Sequence, residues 1–303
     1  MKFKKVVDKG GTQRIAFEKE GQWNLLENGI DLLELLDDKQ QVLKISQEEY
    51  LEGEYKELIP FKPVAYRDFM LYEQHAIDAA RGFVKKYMSH LFPIVSAYEM
   101  LLGKPFPKLK PKKRYYQHPI YYMGNHLNFI SNDERIHIPA YTQELDYELE
   151  LAAIITKPLK NASIDEVDDA IGGFVILNDF SARDVQLDEI ESGFGPMKTK
   201  NFGSAISSVV VSKDEIISRL DDLTVRVVIN DQTIIESQTK GKRYSFQEAI
   251  AYASWEEQLH PGELFGSGTI PGCSGIENGV MLKRGDTIRL EVEGIGTLTN
   301  IVE

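Results

Sequence analysis

Seven short segments rich in β-branched and aromatic residues follow one another in the C-terminal two-thirds of the chain, and they constrain the fold most. The segments are RIHIPA, YELELAAIIT, FVILNDF, AISSVVV, LTVRVVIN, TIIES and TIRLEVEG. Short runs of this composition, separated by turn-forming residues, are typical of β-strands. Helices are indicated at Ser163, where SIDE forms a capping box with Glu166, and within YSFQEAIAYASWEEQL. The sequence therefore predicts an α+β fold dominated by sheet.

The first 65 residues suggest a separate N-terminal domain. Short β-like runs such as RIAF and a leucine-rich stretch, DLLELLDD, predict a small α+β domain over residues 1–65. A larger domain, 66–303, would follow. Within it, the proline- and lysine-rich segment KPFPKLKPKKR, about residues 104–114, cannot continue a helix and predicts an exposed basic connection.

The segment YRDFMLYEQHAIDAARGFVKKYMSH predicts the longest helix of the chain. Its apolar residues recur at roughly helical spacing, and Asp68 is a plausible N-cap. On such a helix Asp68, Tyr72 and His75 would share one face. A histidine in this position is either a packed or surface residue or a catalytic base.

Composition and charge narrow the class of protein. The 303 residues are 42% hydrophobic, enough for a sizeable core, and the net charge of −12 disfavours nucleic acid and anionic membrane surfaces as partners. The single cysteine, Cys273, cannot form an internal disulfide, which fits a reducing compartment. Without an apolar stretch after the basic N-terminus or a run of about 18 apolar residues, a cytoplasmic protein is expected.

The stretch LDYELEL alternates apolar residues with acids, so Asp146, Glu148 and Glu150 would share one face of a strand. The two glutamates would lie about 6.5 to 7 Å apart, a gap that suits a shared divalent cation. A solvated acidic face is the simpler alternative. Asp179, where the buried run FVILN ends, is either a turn residue or a third ligand.

Six motifs follow one another over about residues 66–275: DFMLYEQHA, YYMGN, LDYELEL, LNDFSARDVQ, KNFGS and GSGTIPG. In this order they resemble the fumarylacetoacetate hydrolase family. The resemblance implies a mixed β-sandwich or β-roll of the fumarylacetoacetase C-terminal type. It also implies a homodimeric enzyme that binds Mg²⁺, or Ca²⁺ or Mn²⁺, and acts on small 2-oxo or diketo acids.

The resemblance also assigns roles to individual residues. As metal ligands it implies Asp68, Glu148, Glu150 and Asp179, and as catalytic groups His75, the base, and Lys200, a positive charge beside a developing enolate. Residues that match the substrate-binding positions are Tyr122, Arg183, Gln186, Ser204 and Thr269. The glycine-rich GSGTIPG segment is otherwise a flexible turn between strands.

Other positions depart from the fumarylacetoacetase pattern, and all of them concern substrate. Met70 and Val84 stand where a tyrosine and an arginine are expected, although Arg81 is close in sequence, and Ile190 falls on a further tyrosine position. The carboxylate partner of His75 is either Glu277 or Glu73. Fumarylacetoacetate itself is therefore not assumed to be the substrate.

The expected activity is divalent-metal-dependent hydrolysis of a C–C bond in a β-dicarbonyl or acylpyruvate-like acid. On the same fold, a 2-oxo acid hydratase, dehydratase, decarboxylase or isomerase is the alternative. A non-catalytic Ca²⁺-binding β-domain would explain LDYELEL, but it leaves His75, Arg183 and Lys200 without a purpose.

Overall fold

The computed structural model describes residues 1–37 and 43–303. Its strands are β1 Lys2–Asp8, β2 Gln13–Lys19, β3 Gln22–Leu25, β4 Tyr55–Glu57, β5 Ala65–Phe69, β6 Tyr121–Gly124, β7 Phe129–Ile130, β8 Arg135–Ile136, β9 Leu145–Asp146, β10 Leu149–Ile155, β11 Ile171–Asn178, β12 Ser181–Ala182, β13 Ser204–Ile206, β14 Val209–Ser212, β15 Thr224–Ile229, β16 Gln232–Gln238, β17 Glu263–Gly266, β18 Thr287–Val292 and β19 Gly296–Val302. Its α-helices are α1 Leu32–Asp37, α2 Glu73–Tyr87, α3 Phe92–Leu102, α4 Lys113–Gln117, α5 Ile164–Ala170, α6 Arg183–Glu191, α7 Lys213–Ile216, α8 Phe246–Ala253 and α9 Gly275–Asn278, and short 3₁₀ turns span Pro107–Leu109 and Ile217–Arg219.

Two sheets carry most of the structure. The larger has the order β3-β2-β1-β14-β11-β10-β17-β5-β6, with β13, β7 and β4 paired at its sides, and the smaller has the order β16-β15-β18-β19-β8. Strands β9 and β12 form a separate pair. The predicted α+β, sheet-dominated fold is confirmed.

One apolar cluster joins the two sheets. It includes Leu151 of β10 and Ile176 of β11 from the larger sheet, and Val227 of β15 and Leu290 of β18 from the smaller. All four side chains are fully buried. Because β10 and β11 are covered on both faces, their sequences are nearly continuous apolar runs, and the acids among them are therefore buried as well.

The N-terminal strands extend the larger sheet, since β1 pairs with β14 in antiparallel register. The division at residues 65 and 66 stays a prediction. Asp38, the last residue of the leucine-rich DLLELLDD stretch, lies outside the described residues. In the segment 104–114, Lys104, Lys108 and Lys110 are exposed as expected, whereas Leu109 is buried against Ile77 of α2.

The predicted long helix begins later than the sequence suggested. Asp68 lies in β5, between β17 and β6, and α2 starts at Glu73 with Tyr72 as its N-cap. The expectation that Asp68 caps the helix and shares a helical face with His75 is therefore wrong, because strand pairing on both sides overrides local helical spacing. The predicted capping box of Ser163 with Glu166 is present, and Ser245 forms a second one with Glu248.

None of the helices formed by the described residues combines the length and the apolar character needed to cross a membrane.

Candidate metal centre and active site

Neighbouring strands of the larger sheet deliver three carboxylates to one point. Glu150 is on β10, Asp179 directly follows β11, and Asp68 is on β5. Strand β17 lies between β10 and β5, and its Gly266 is paired with Asp68 in register. Sheet pairing therefore brings together acids that are far apart in the sequence.

Asp68, Glu150 and Asp179 form a buried cluster in which one oxygen of each residue lies within 4.8 Å of the others. A Cβ atom at Gly266 would lie 2.4 Å from Oδ1 of Asp68 and 2.9 Å from Oε2 of Glu150. The absence of a side chain at this glycine thus leaves space between the carboxylates. Buried oxygens Oδ1 of Asp68 and Oε1 of Glu150 have no hydrogen-bond partner among the described residues.

The cluster holds more negative charge than its surroundings compensate. Burial, followed by the charge of Asp179, raises the pKa of Asp68 well above its usual value. Burial and the charges of Asp68 and Asp179 do the same to the pKa of Glu150. Unpartnered buried carboxylate oxygens at short mutual distance match the ligands that hard divalent cations take. These three residues therefore fit a divalent cation.

Donors from three other segments fix the carboxylates in place. The hydroxyl of Tyr122, on β6, donates to Oδ2 of Asp179 at 2.7 Å, and Ser204 Oγ donates to Oδ1 of Asp179 at 3.2 Å. The backbone N–H of Gly268 donates to Oε2 of Glu150 at 3.0 Å. Tyr122 and Ser204, both predicted as substrate-binding residues, thus contact a carboxylate of the cluster.

Glu148, the fourth predicted ligand, lies beside the cluster with both carboxylate oxygens paired. Its Oε1 accepts from Arg183 Nη2 and its Oε2 from Lys200 Nζ, which also lies 2.5 Å from Oδ2 of Asp179. Burial raises the pKa of Glu148, but Lys200 and Arg183 outweigh burial and hold that pKa below its usual value. A ligand role for Glu148 stays a prediction, and it requires one of these cations to move.

His75 and Glu277 form a pair on facing helices. Nδ1 of His75, on α2, lies 3.1 Å from Oε2 of Glu277, on α9, as an ion-pair contact rather than a well-aligned hydrogen bond. The helices approach closely at Gly82, where a Cβ atom would lie 2.0 Å from the carbonyl oxygen of Ile276. Burial lowers the pKa of His75, but Glu277 and then Glu148 outweigh it and raise that pKa.

The structure also separates the two candidate partners of His75. Glu73 accepts a hydrogen bond from the hydroxyl of Tyr116 at 2.7 Å, whereas Glu277 faces the histidine. The sequence could not separate these two residues, because both lie near predicted site segments and only the packing of α9 on α2 distinguishes them.

Asp146 connects the acidic strand to this pair. It accepts hydrogen bonds from Arg183 Nε at 2.6 Å and from the backbone N–H groups of Gly275 at 2.6 Å and Ile276 at 2.9 Å, at the start of α9. Arg183 Nη1 in turn donates to Oε1 of Gln186 at 2.7 Å. Asp146 therefore holds Arg183 and the helix that carries Glu277 in one arrangement, a role that the sequence did not indicate.

LDYELEL does not form the one continuous strand that was predicted, since β9 ends at Asp146 and β10 begins at Leu149, and the solvated-face alternative is wrong as well. Leu145, Tyr147, Leu149 and Leu151 are fully buried, and of the acids Asp146 and Glu150 are 0% and Glu148 is 5% exposed. Helix α9 and residues of the GSGT segment contact the acids, so the face that would be solvated on an isolated strand is internal.

A cavity of about 380 Å³ opens onto the cluster. Predicted site residues that line it are Asp68, His75, Tyr122, Glu148, Glu150, Arg183, Gln186, Lys200 and Thr269. Met70 and Ile190, which depart from the fumarylacetoacetase pattern, line it as well. Arg81 instead pairs with Asp78 and Glu99.

Sequence comparison relates the chain to a described family. The family model for the C-terminal domain of fumarylacetoacetate (FAA) hydrolase matches residues 96–303. A fumarylacetoacetate hydrolase domain-containing protein 2 homolog of Dictyostelium discoideum is 33% identical over 174 residues, 54% of this chain and 57% of that protein. A mitochondrial oxaloacetate tautomerase of Xenopus laevis is 28% identical over 255 residues, 80% of each chain.

Solved structures show the same fold along the whole chain. A fumarylacetoacetate hydrolase of Exiguobacterium antarcticum superposes with a TM-score of 0.72 at 21% identity, covering 100% of this chain and 99% of that one. A 2-hydroxyhepta-2,4-diene-1,7-dioate isomerase of Mycobacterium marinum superposes with a TM-score of 0.71 at 19% identity, covering 100% and 98%. At these identities the likeness concerns the fold alone.

Substitutions of the two glutamates of LDYELEL should have opposite effects on the free energy of unfolding. Glu150→Gln removes one of three mutually repelling buried charges, so we expect the metal-free protein to gain about 1 kcal/mol and Mn²⁺ affinity to fall at least about tenfold. Glu148→Gln leaves Arg183 and Lys200 without their shared carboxylate and should cost about 3 kcal/mol. Urea unfolding in EDTA and calorimetric Mn²⁺ titration measure both; equal effects of the two variants would contradict the charge assignment.

The raised pKa values also predict how metal-dependent stability varies with pH. Because Asp68 and Glu150 hold protons more tightly when folded than when unfolded, the metal-free protein should lose stability as the pH rises above about 4, their usual pKa. A cation competes with those protons. The rise in Tm on adding Mg²⁺ should therefore be larger at pH 8 than at pH 5.5 and flatter in Glu150→Gln; the reverse trend would refute the cluster as the binding site.

Asp146→Asn tests the connection between Arg183 and α9. The neutral amide leaves the buried guanidinium with one charged partner fewer, so we expect a loss of about 3 kcal/mol in urea unfolding. Glu291→Gln on β18, a partly exposed acid that pairs with Arg289 at 2.9 Å, serves as the matched control and should change stability by less than about 1 kcal/mol. A loss no larger than the control's would show that Asp146 does not hold this arrangement.

Proposed function

The chain belongs to the fumarylacetoacetate hydrolase family, and from this premise we propose that it is a divalent-metal-dependent hydrolase of a C–C bond in a β-dicarbonyl or acylpyruvate-like acid. One observation carries the proposal. His75, which is paired with Glu277, lines the cavity that is also lined by Asp68, Glu150 and Lys200. Family members are enzymes that act on small molecules, and the net charge of −12 gives no support to a nucleic-acid partner.

The residues that would hold the cation are Asp68, Glu150 and Asp179, with Glu148 as a fourth ligand when Lys200 moves away. Mg²⁺ is the expected ion, with Ca²⁺ or Mn²⁺ as the alternatives, because all the ligands are carboxylate oxygens. When bound, such a cation supplies a Lewis acid that polarises a substrate carbonyl. Tyr122 and Ser204 keep Asp179 oriented by their hydrogen bonds to its two oxygens.

His75 is the proposed general base. The carboxylate of Glu277 beside Nδ1 favours a proton on that nitrogen, which leaves Nε2 free to take a proton from water. Nε2 lies on the side of Glu148, 4.0 Å from Oε1. Water that has lost this proton adds to the carbonyl carbon of the substrate. The proton then returns to the carbon that leaves with the bonding electron pair, so that a carboxylic acid and a ketone are released.

Lys200 and Arg183 supply the positive charge for the organic anion. Lys200 Nζ is buried between Glu148 and Asp179, and it would stabilise negative charge that develops on the leaving enolate oxygen. Arg183, held by Asp146 and Gln186, fixes Glu148 relative to His75. Thr269 and Gln186 line the same cavity and are the proposed polar contacts of the substrate.

A second candidate reaction uses the same residues without adding water. The relative from Xenopus laevis is described as an oxaloacetate tautomerase, which favours proton transfer between carbon and oxygen of a 2-oxo acid. His75 would then take its proton from carbon. Hydration, dehydration and decarboxylation are further variants. A non-catalytic Ca²⁺-binding domain is disfavoured because it gives no role to the paired His75 and Glu277.

The protein is expected to act as a homodimer in the cytoplasm. The homodimer follows from the family resemblance, and the exposed apolar side chains of Met100 and Leu101 on α3, 81% and 77% exposed, are compatible with it. A reducing compartment suits the single cysteine, Cys273, which is buried. Light scattering of the purified protein would measure the assembly.

Turnover of a panel of diketo and 2-oxo acids with Mg²⁺, followed by ultraviolet absorbance and product analysis, tests the activity. Hydrolysis yields two smaller carbon fragments without CO₂, whereas tautomerisation preserves the carbon skeleton. His75→Ala should keep its Mg²⁺ affinity and fold but lose at least about 100-fold in kcat.

His90→Ala, an exposed histidine outside the cavity, is the matched control and should be fully active. An active His75→Ala variant would assign the base to another residue. No turnover of any panel member with Mg²⁺ or Mn²⁺ would overturn the enzymatic proposal.

A further inference from the structure

We propose that the cavity selects a substrate whose end far from the carboxylate cluster is apolar and uncharged, and that it discriminates against acids with a second carboxylate there. This inference rests on the proposed function and names its substrate class. It is carried by the distribution of charge along the cavity.

The cavity has a charged end and an apolar end. Helix α2 runs along it, from His75 at the carboxylates to Phe83, which is about 12 Å further along the helix axis at ~1.5 Å per residue. The lining residues of the far part share an apolar character: Ala76, Ala79, Ala80 and Phe83 from α2, and Ile190 and Pro196 from α6 and the segment after it.

The arginine and lysine side chains among the described lining residues are all at the charged end. They are Arg183 and Lys200, and each is already paired with buried carboxylates. A 2-oxo acid headgroup would use this end, because the proposed cation site, Thr269 and Gln186 are there. A second carboxylate on the same substrate would therefore point away from both cations.

Two arginines near the apolar end are already paired with acids, so neither is available to bind a substrate carboxylate there. Arg81, one helical residue beyond Ala80, pairs with Asp78 and Glu99. Arg67 contacts the hydroxyl of the lining residue Tyr121 at 3.3 Å, but it is paired with Glu257 and Glu263. A carboxylate among Ala79, Phe83 and Ile190 would find no cationic partner among the described lining residues, whereas an apolar tail would cover these partly exposed apolar side chains.

The cavity size sets a further limit. A volume of about 380 Å³ lies at the small end of the range for ligand pockets. It accommodates a diketo acid headgroup with a short alkyl or aryl tail, and the tail gains from burial against the alanines and Phe83.

Unreactive analogues test tail preference without requiring turnover. Oxamate carries the 2-oxo acid headgroup, and N-(3-methylbutyl)oxamate and N-(2-carboxyethyl)oxamate differ from each other only in a terminal isopropyl against a terminal carboxylate. Calorimetry with wild-type protein in Mg²⁺ should give at least about tenfold tighter binding for the isopropyl-tailed compound. Equal binding, or tighter binding of the carboxylate-tailed compound, would overturn the inference while leaving the proposed function intact.

A charge introduced at the apolar end should remove the preference for the isopropyl tail. In Ala79→Lys the affinity for the carboxylate-tailed compound relative to the isopropyl-tailed one should rise at least about tenfold. Ala79→Met has a side chain of similar length without charge and should not improve binding of the carboxylate-tailed compound. An equal gain in both variants would mean that shape rather than charge decides, against the inference.

If Ala79→Lys fails to fold, the comparison of the two tailed oxamates with wild-type protein is sufficient to test the inference. Failure of oxamate itself to bind in Mg²⁺ would overturn the proposed function, and the inference with it.

Discussion

Repulsion among buried carboxylates is the constraint around which this structure is arranged. Asp68, Glu150 and Asp179 bring one oxygen each to within 4.8 Å in an interior where such charges repel strongly. Lys200 offsets part of this charge through Asp179, and Arg183 offsets that of Glu148. Two carboxylate oxygens keep no partner among the described residues. Such a cluster costs stability in the absence of a counter-charge, and its three carboxylates could hold a divalent cation.

The larger sheet supplies the rigidity that this arrangement requires. Five adjacent strands, β11, β10, β17, β5 and β6, bring Asp179, Glu150, Gly266, Asp68 and Tyr122 next to one another. Hydrogen bonding between the strands fixes their register and therefore the backbone positions of these residues. Packing in the core between the two sheets stabilises that register. Glycine on the central strand leaves the space into which the carboxylates converge. The carboxylate cluster is thus built on strands or directly beside them.

The proposed proton transfer would depend on a second arrangement, the packing of α9 against α2. Gly82 allows the two helices to approach, and Asp146 ties the start of α9 to Arg183 and so to Glu148. The base and the charged cluster are therefore positioned by shared contacts. The far part of the cavity, lined by Ala79, Phe83 and Ile190, carries no such charged network and is left to determine which substrate tail fits.

The sequence determined the sheet-dominated fold, the capping box at Ser163 and the residues that form the carboxylate cluster, because these depend on local composition or on ordered motifs. It could not place Asp68, since a strand and a helix compete for the same residues and only pairing with β17 and β6 decides. It could not choose between Glu277 and Glu73, or assign Asp146, because those contacts join segments more than a hundred residues apart. The sequence also could not predict which charged side chains line the cavity, since Arg81 is close in sequence to the lining alanines but pairs with Glu99. The tertiary structure decided these points, because side-chain partners in a buried site are set by packing between distant elements.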